Sequence, residues 1–121
     1  MWGNNVNFNV LEGKVLTKIE GLENRSEIVY FHCNDGTKYK MHHYQDCCEQ
    51  VEIEDVIGDI DNLIGVPITM AEEESETGVE DDWETNTWTF YKLATINGYV
   101  TIRWLGTSNG YYSESVDFEE I

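Results

Sequence analysis

The segment from Trp88 to Trp104 constrains the fold more than any other part of the chain. It runs Trp88-Thr89-Phe90-Tyr91-Lys92-Leu93-Ala94-Thr95-Ile96, then Asn97-Gly98, then Tyr99-Val100-Thr101-Ile102-Arg103-Trp104. β-Branched and aromatic residues fill both arms, and such side chains suit a pleated, half-buried surface. Asn-Gly between the arms tolerates the positive φ angles of a type I′ turn, whose twist matches the flanking strands. A long antiparallel hairpin follows. An isolated hairpin is marginal in water, so a larger sheet must form around it.

Further strands are legible on both sides. Val15 to Ile19 alternates, and Glu27 to Cys33 joins Lys38 to His42 through Asn34-Asp35-Gly36, a second hairpin signal. Val51 to Val56 alternates again. Asp59 to Ile64 suits a helical turn or two, stopped by Gly65 and Pro67. Val66 to Met70 reads as a short strand. Tyr111 to Phe118 reads as a last strand, expected beside the Trp88–Trp104 hairpin after the turn at Ser108-Asn109-Gly110. The predicted fold class is α+β, mainly antiparallel β: a single compact domain of six to eight strands with one short helix. A chain of 121 residues with one proline fits one domain spanning 1–121.

Charge supplies the second constraint. Five acids and five bases balance over residues 1–40, whereas the other nineteen acids face only Lys92 and Arg103, giving a net charge of −17 at pH 7. Such a field disfavours direct binding of nucleic acid, which needs clustered Lys and Arg to displace counterions. It disfavours anionic membranes for the same reason. Basic protein surfaces are attracted instead. The stretch 72–86, with Glu72-Glu73-Glu74-Ser75-Glu76 and Glu80-Asp81-Asp82, reads as an acidic flexible loop, because its like charges repel and few apolar groups offset them.

No apolar run approaches the length of a membrane helix. Met1-Trp2-Gly3-Asn4-Asn5 lacks the basic start and apolar stretch of a signal peptide. The three cysteines then read as reduced thiols of a cytoplasmic protein.

Three constellations are chemically suggestive. His32, His42, Cys47 and Cys48 could supply a tetrahedral zinc site. The spacing is poor, and buried thiols with partly exposed imidazoles are the plainer account. Cys47-Cys48 could also act as a nucleophile, but Asp46, Glu49, Glu52 and Glu54 surround it and suppress the thiolate. No enzyme activity and no cofactor are therefore expected. Arg103, Trp104, Ser108, Asn109, Tyr111 and Tyr112 could clamp a small anionic ligand between a cation and aromatic rings. The plainer account is a structural arginine paired with Glu114 or Asp117.

The runs His42 to Glu49, Ile57 to Gly65, Trp88 to Tyr91 and Arg103 to Glu114 occur in one order that resembles a small domain family of unknown function in tailed bacteriophages and prophages. The resemblance spans Leu11 to Phe118. It implies a phage product in a host bacterial cytoplasm and carries no ligand or catalytic residue. In that setting the expected function is inhibition by binding. Acids stand in for phosphates in the basic nucleic-acid groove of a host or host-defence protein, of the anti-CRISPR or anti-restriction type. Glu72, Glu73, Glu74, Glu76, Glu80, Asp81, Asp82 and Trp83 are the expected partner-binding residues. The alternatives are an oligomeric sponge for a small nucleotide signal, using the Arg103 constellation, and a zinc-stabilised interaction domain. Homo-oligomerisation is left open.

Overall fold

Alternation of apolar and polar residues resolves into two sheets. The computed structural model describes residues 4–79, 84–110 and 112–121. In chain order the strands are β1 (Asn4–Asn5), β2 (Leu16–Glu20), β3 (Ile28–Cys33), β4 (Lys38–His42), β5 (Gln50–Ile57), β6 (Met70–Val79), β7 (Thr85–Thr95), β8 (Gly98–Ser108) and β9 (Asp117–Glu120). The first sheet has the order β1-β9-β4-β3-β2 and the second β5-β8-β7-β6, all neighbours antiparallel.

The alternating residues of each sheet meet in one core. Val29, Phe31, Tyr39, Met41 and Phe118 come from the first sheet, and Val51, Ile53, Tyr91, Leu93, Val100, Ile102 and Trp104 from the second. Trp104 is fully buried, and its indole N–H donates to Met41 Sδ at 3.2 Å, a direct tie between the sheets. Phe8 closes one side, edge-on to Tyr91 at 4.7 Å and to Phe118 at 5.1 Å. Such edge-to-face pairs each add about 0.5–1.5 kcal/mol beyond burial.

The single-domain, mainly antiparallel reading holds. Three finer expectations are corrected. The short helix is a 3-10 turn at Ile60–Leu63, capped by the Asp59 carboxylate, with a second such turn at Phe8–Leu11 and no α-helix among the described residues. The expected acidic loop is largely strand: residues 72–79 lie in β6 and pair with β7, from Glu72 opposite Lys92 to Val79 opposite Thr85. The ladder to β7, with Lys92, Tyr91, Phe90 and Trp88 opposite the acids, outweighs repulsion between neighbouring carboxylates that water screens. The short strand expected at Val66 to Met70 is a single bridge, Val15 to Pro67, before β6 begins.

The last strand also differs from expectation. Residues 112–116 cross from the second sheet to the first, and β9 pairs with β4 and β1 rather than with β8. Gly106 makes the crossing sterically feasible, because a Cβ there would lie 2.6 Å from the Glu114 carbonyl oxygen. No helix among the described residues is long and apolar enough to cross a membrane.

Candidate functional site

The hairpin register decides what the outward face of the second sheet displays. Side chains alternate across a strand, so Trp88, Phe90 and Lys92 of β7 share the face opposite Tyr91 and Leu93. Reading across β5, β8, β7 and β6, one row is Glu52, Leu105, Trp88 and Glu76. The next is Asp55, Arg103, Phe90 and Glu74, and the third is Ile57, Thr101, Lys92 and Glu72. An aromatic and aliphatic centre is thus bordered by carboxylates on both sides.

Glu72 to Gly78 are exposed, while Trp88, Phe90, Arg103 and Leu105 are half-buried. Glu76, Trp88, Phe90 and Arg103 line a shallow open depression. The two bases beyond residue 40 both lie on this face. Lys92 Nζ reaches Glu74 at 3.3 Å. Arg103 donates from Nε to Glu54 at 2.5 Å, approaches Asp55 at 3.6 Å, and lies 5.6 Å over the Trp88 ring. A bulge between Ile53 and Asp55 brings Glu54 within reach. The Glu54 carboxylate raises the Arg103 pKa further above its ordinary value. Six acids (Glu52, Glu54, Asp55, Glu72, Glu74, Glu76) against two cations leave the face acidic.

Of the expected partner-binding residues, Glu72, Glu74 and Glu76 share this face. Glu73 belongs to the opposite side of β6, where its carboxylate accepts from Tyr91 Oη at 3.0 Å. Glu80, Asp81, Asp82 and Trp83 lie outside the described residues.

The small-ligand constellation is not assembled. Arg103 faces outward and is paired, whereas Trp104, its neighbour on β8, is buried in the core. One ligand cannot touch both sides of a strand. Ser108 is buried too and donates to the Glu114 carboxylate, which Thr85 and Thr87 also contact at 2.5 and 2.8 Å. Asn109 and Tyr112 lie by a separate surface depression with Cys48, Gln50 and Glu84; Tyr111 is outside the described residues. Arg103 is a structural arginine, as the plainer account has it, but its partners are Glu54 and Asp55 rather than Glu114 or Asp117.

The zinc quartet is likewise dispersed. The β3–β4 register sets His32 opposite Lys38 and His42 opposite Ile28, at opposite ends of the ladder. His32 meets Glu20 at 3.3 Å, and His42 meets the buried Glu119 at 2.9 Å. The expectation of three reduced thiols is corrected: Cys47 and Cys48 are joined to each other in a disulfide, and Cys33 is the free, buried cysteine. No group of three or more His, Cys, Asp or Glu that could hold a metal occurs among the described residues.

A family comparison bears on the whole sandwich. The model of the domain of unknown function DUF7448 matches residues 9–118. The chain belongs to this family. No curated protein and no solved structure matches it. The DUF7448 match takes in every strand from β2 to β8, and with them all six border acids and the aromatic centre.

A second polar cluster in the DUF7448 chain escaped the reading of its sequence. The buried Glu49 carboxylate accepts from His43 Nε2 at 2.7 Å, from the backbone N–H groups of Cys47 and Asp46 at 2.8 and 2.9 Å, and from Gln45 at 3.2 Å. Its pKa falls from 4.5 to about 2, chiefly through the His43 bond, against burial, which pushes it up. His43 Nδ1 faces the Ser115 carbonyl at 2.6 Å. Each ring nitrogen of His43 thus faces an oxygen, the Glu49 carboxylate on one side and the Ser115 carbonyl on the other. Glu119 accepts from His42 and, at 2.7 Å, from Tyr44 Oη. Burial raises its pKa, but the bonds from Tyr44 and His42 outweigh that and lower it. These contacts fasten residues 42–49 to 115–119. The signal for them was the pairing of His42-His43 with isolated acids, which long sequence separation hides.

Proposed function

We propose that the chain acts by binding another protein, through the outer face of its second sheet. The observation that carries this is the register placing Glu52, Glu54 and Asp55 on one side, and Glu72, Glu74 and Glu76 on the other, of Trp88, Phe90 and Leu105. Large aromatics at the centre of an interface supply anchoring energy, and charged borders set orientation and partner choice. The partner is a protein with a basic surface. Its Lys and Arg would otherwise meet phosphates, for which the carboxylates substitute. In a phage setting that reading becomes inhibition of a host or host-defence protein in the bacterial cytoplasm, by occupation of its nucleic-acid groove.

The test is affinity capture from a bacterial lysate, followed by reconstitution of the captured protein with the purified chain. The expected complex weakens steeply with salt, is displaced by duplex DNA, and is lost with E72Q/E74Q/E76Q. A complex indifferent to salt, to DNA and to these substitutions would dismiss the reading.

A further inference from the structure

The two edges of the second sheet are finished differently. On β5, Ile53 is closed by the chain itself: its N–H donates to the Ser26 carbonyl at 2.8 Å, and its carbonyl accepts from Arg25 at 2.7 Å. On β6, the Ala71 N–H donates to the Glu12 carboxylate at 3.1 Å, and no strand pairs with that side of β6 among the described residues. The Ala71 bond fixes the phase of the edge. Successive backbone groups point to alternate sides, so Glu73, Ser75 and Thr77, like Ala71, direct N–H and C=O away from β7. Glu72, Glu74 and Glu76 hydrogen-bond inward to β7, and their exposed side chains stand beside Trp88 and Phe90 on the outer face.

We propose that β6 receives an extended basic segment of the partner as a fifth strand. The segment hydrogen-bonds to Glu73, Ser75 and Thr77 and carries Lys or Arg at alternate positions opposite Glu72, Glu74 and Glu76. This inference rests on the binding function proposed above and adds the partner's conformation. Three features converge on it. An open edge offers main-chain bonds to any strand. Outward Glu residues at every second position ask for cations at every second position of the incoming chain, where directly opposed side chains of opposite sign attract. A second copy of this chain is disfavoured, because two β6 strands would oppose carboxylate to carboxylate. The groove lined by Asn7, Asn9 and Ala71 to Glu74 continues along the same edge.

The experiment uses the full chain and a synthetic nine-residue peptide of alternating Lys and Thr. Its two controls are the same peptide N-methylated on the backbone amides that face β6, and a peptide of equal composition with its Lys residues grouped together. Affinity is read by titration calorimetry, and protection of the Glu73, Ser75 and Thr77 amides by hydrogen exchange. Expected are binding at least about tenfold weaker for the N-methylated peptide, as for loss of one or two hydrogen bonds, weaker binding of the grouped-Lys peptide through lost pairing with alternate Glu residues, and protection of the three amides by the alternating peptide. S75P should weaken binding similarly while keeping the fold, because the Ser75 N–H is not used by β7 and proline is tolerated on such an edge. If S75P does not fold, the N-methylated peptide on the unaltered chain decides. Equal binding of all three peptides, or no binding of the alternating one, overturns strand addition. The groove-filling function stands or falls separately, on the captured protein and E72Q/E74Q/E76Q.

Discussion

The outer faces of the two sheets use carboxylates in opposite ways. On the outer face of the first sheet Glu20 and Glu119 have basic neighbours: Lys18 with Glu20 at 2.8 Å, His32 with Glu20, His42 with Glu119, and Lys40 opposite Glu119 in the β4–β9 register. Lys38 lies over the Tyr30 ring at 5.2 Å. On the second sheet six acids share Lys92 and Arg103. Charge on the first face is spent on holding strands together. On the second, Glu54 and Asp55 pair with Arg103 and Glu74 with Lys92, and the remaining carboxylates are in surplus.

The comparison breaks first at the core beneath both faces. Trp104→Ala removes the buried indole and its tie to Met41, with an expected loss of roughly 3–5 kcal/mol. Urea unfolding followed by circular dichroism should show one transition shifted as a whole. Faster amide exchange confined to β7 and β8, with β3 and β4 unchanged, would mean that the sheets are separate units and the comparison is badly drawn. Glu119→Gln comes next. It replaces a buried carboxylate that accepts from His42 and Tyr44, and should cost roughly 1–3 kcal/mol in the same assay. A neutral result would show that the first face is not held by its charge pairs.

Acid titration sharpens the same contrast through Glu49. Its folded pKa of about 2 lies below the ordinary 4.5. The folded state therefore prefers the ionised form, and the stabilisation is present above about pH 4.5 and lost as pH falls toward 2. Protonation of surplus acids on the second face works the other way, by relieving repulsion. The difference in melting temperature between the unaltered chain and Glu49→Gln isolates the first effect. It should be largest near neutrality and close between pH 4.5 and 2. A difference constant across that window would remove the His43–Glu49 bond as a contributor.

Local patterns were legible in the sequence and distant partners were not. Asn97-Gly98 and Asp35-Gly36 marked their hairpins because alternation and turn residues are encoded within a few positions. The first turn, however, is not the expected type I′: Thr95 pairs with Gly98, the loop residues are Ile96 and Asn97, and only Gly98 takes a positive φ there. The phase of β7 alone places Trp88, Phe90 and Lys92 on one side. What escaped was pairing across long separations: β9 joining β4 instead of β8, Arg103 reaching back to Glu54, His43 meeting Ser115. The acidic stretch misled for a related reason. Composition argued for repulsion, whereas Glu72 to Val79 is held by a ladder whose other half, Thr85 to Lys92, lies further along the chain. Of the expected binding acids, strand alternation selects Glu72, Glu74 and Glu76 and turns Glu73 toward Tyr91.

The smallest effect tests the contrast most directly, because its sign differs. Glu72→Gln/Glu74→Gln/Glu76→Gln makes on the second face the same chemical change as Glu119→Gln on the first. Glu72 and Glu76 sit opposite Lys92 and Trp88, and the ion pair Glu74 makes with Lys92 at 3.3 Å is exposed. Exposed pairs of this kind contribute little, at most about 1 kcal/mol. Like charges two residues apart on one strand face repel, and their removal should offset that loss. The triple variant should therefore melt at or slightly above the temperature of the unaltered chain, by a few tenths of a kcal/mol at low salt, and the gain should vanish as salt rises. Glu119→Gln should lose stability at every salt concentration. If the triple variant instead lost stability on the scale of Glu119→Gln, the carboxylates of β6 would belong to the fold, and their availability to a basic partner would have to be given up.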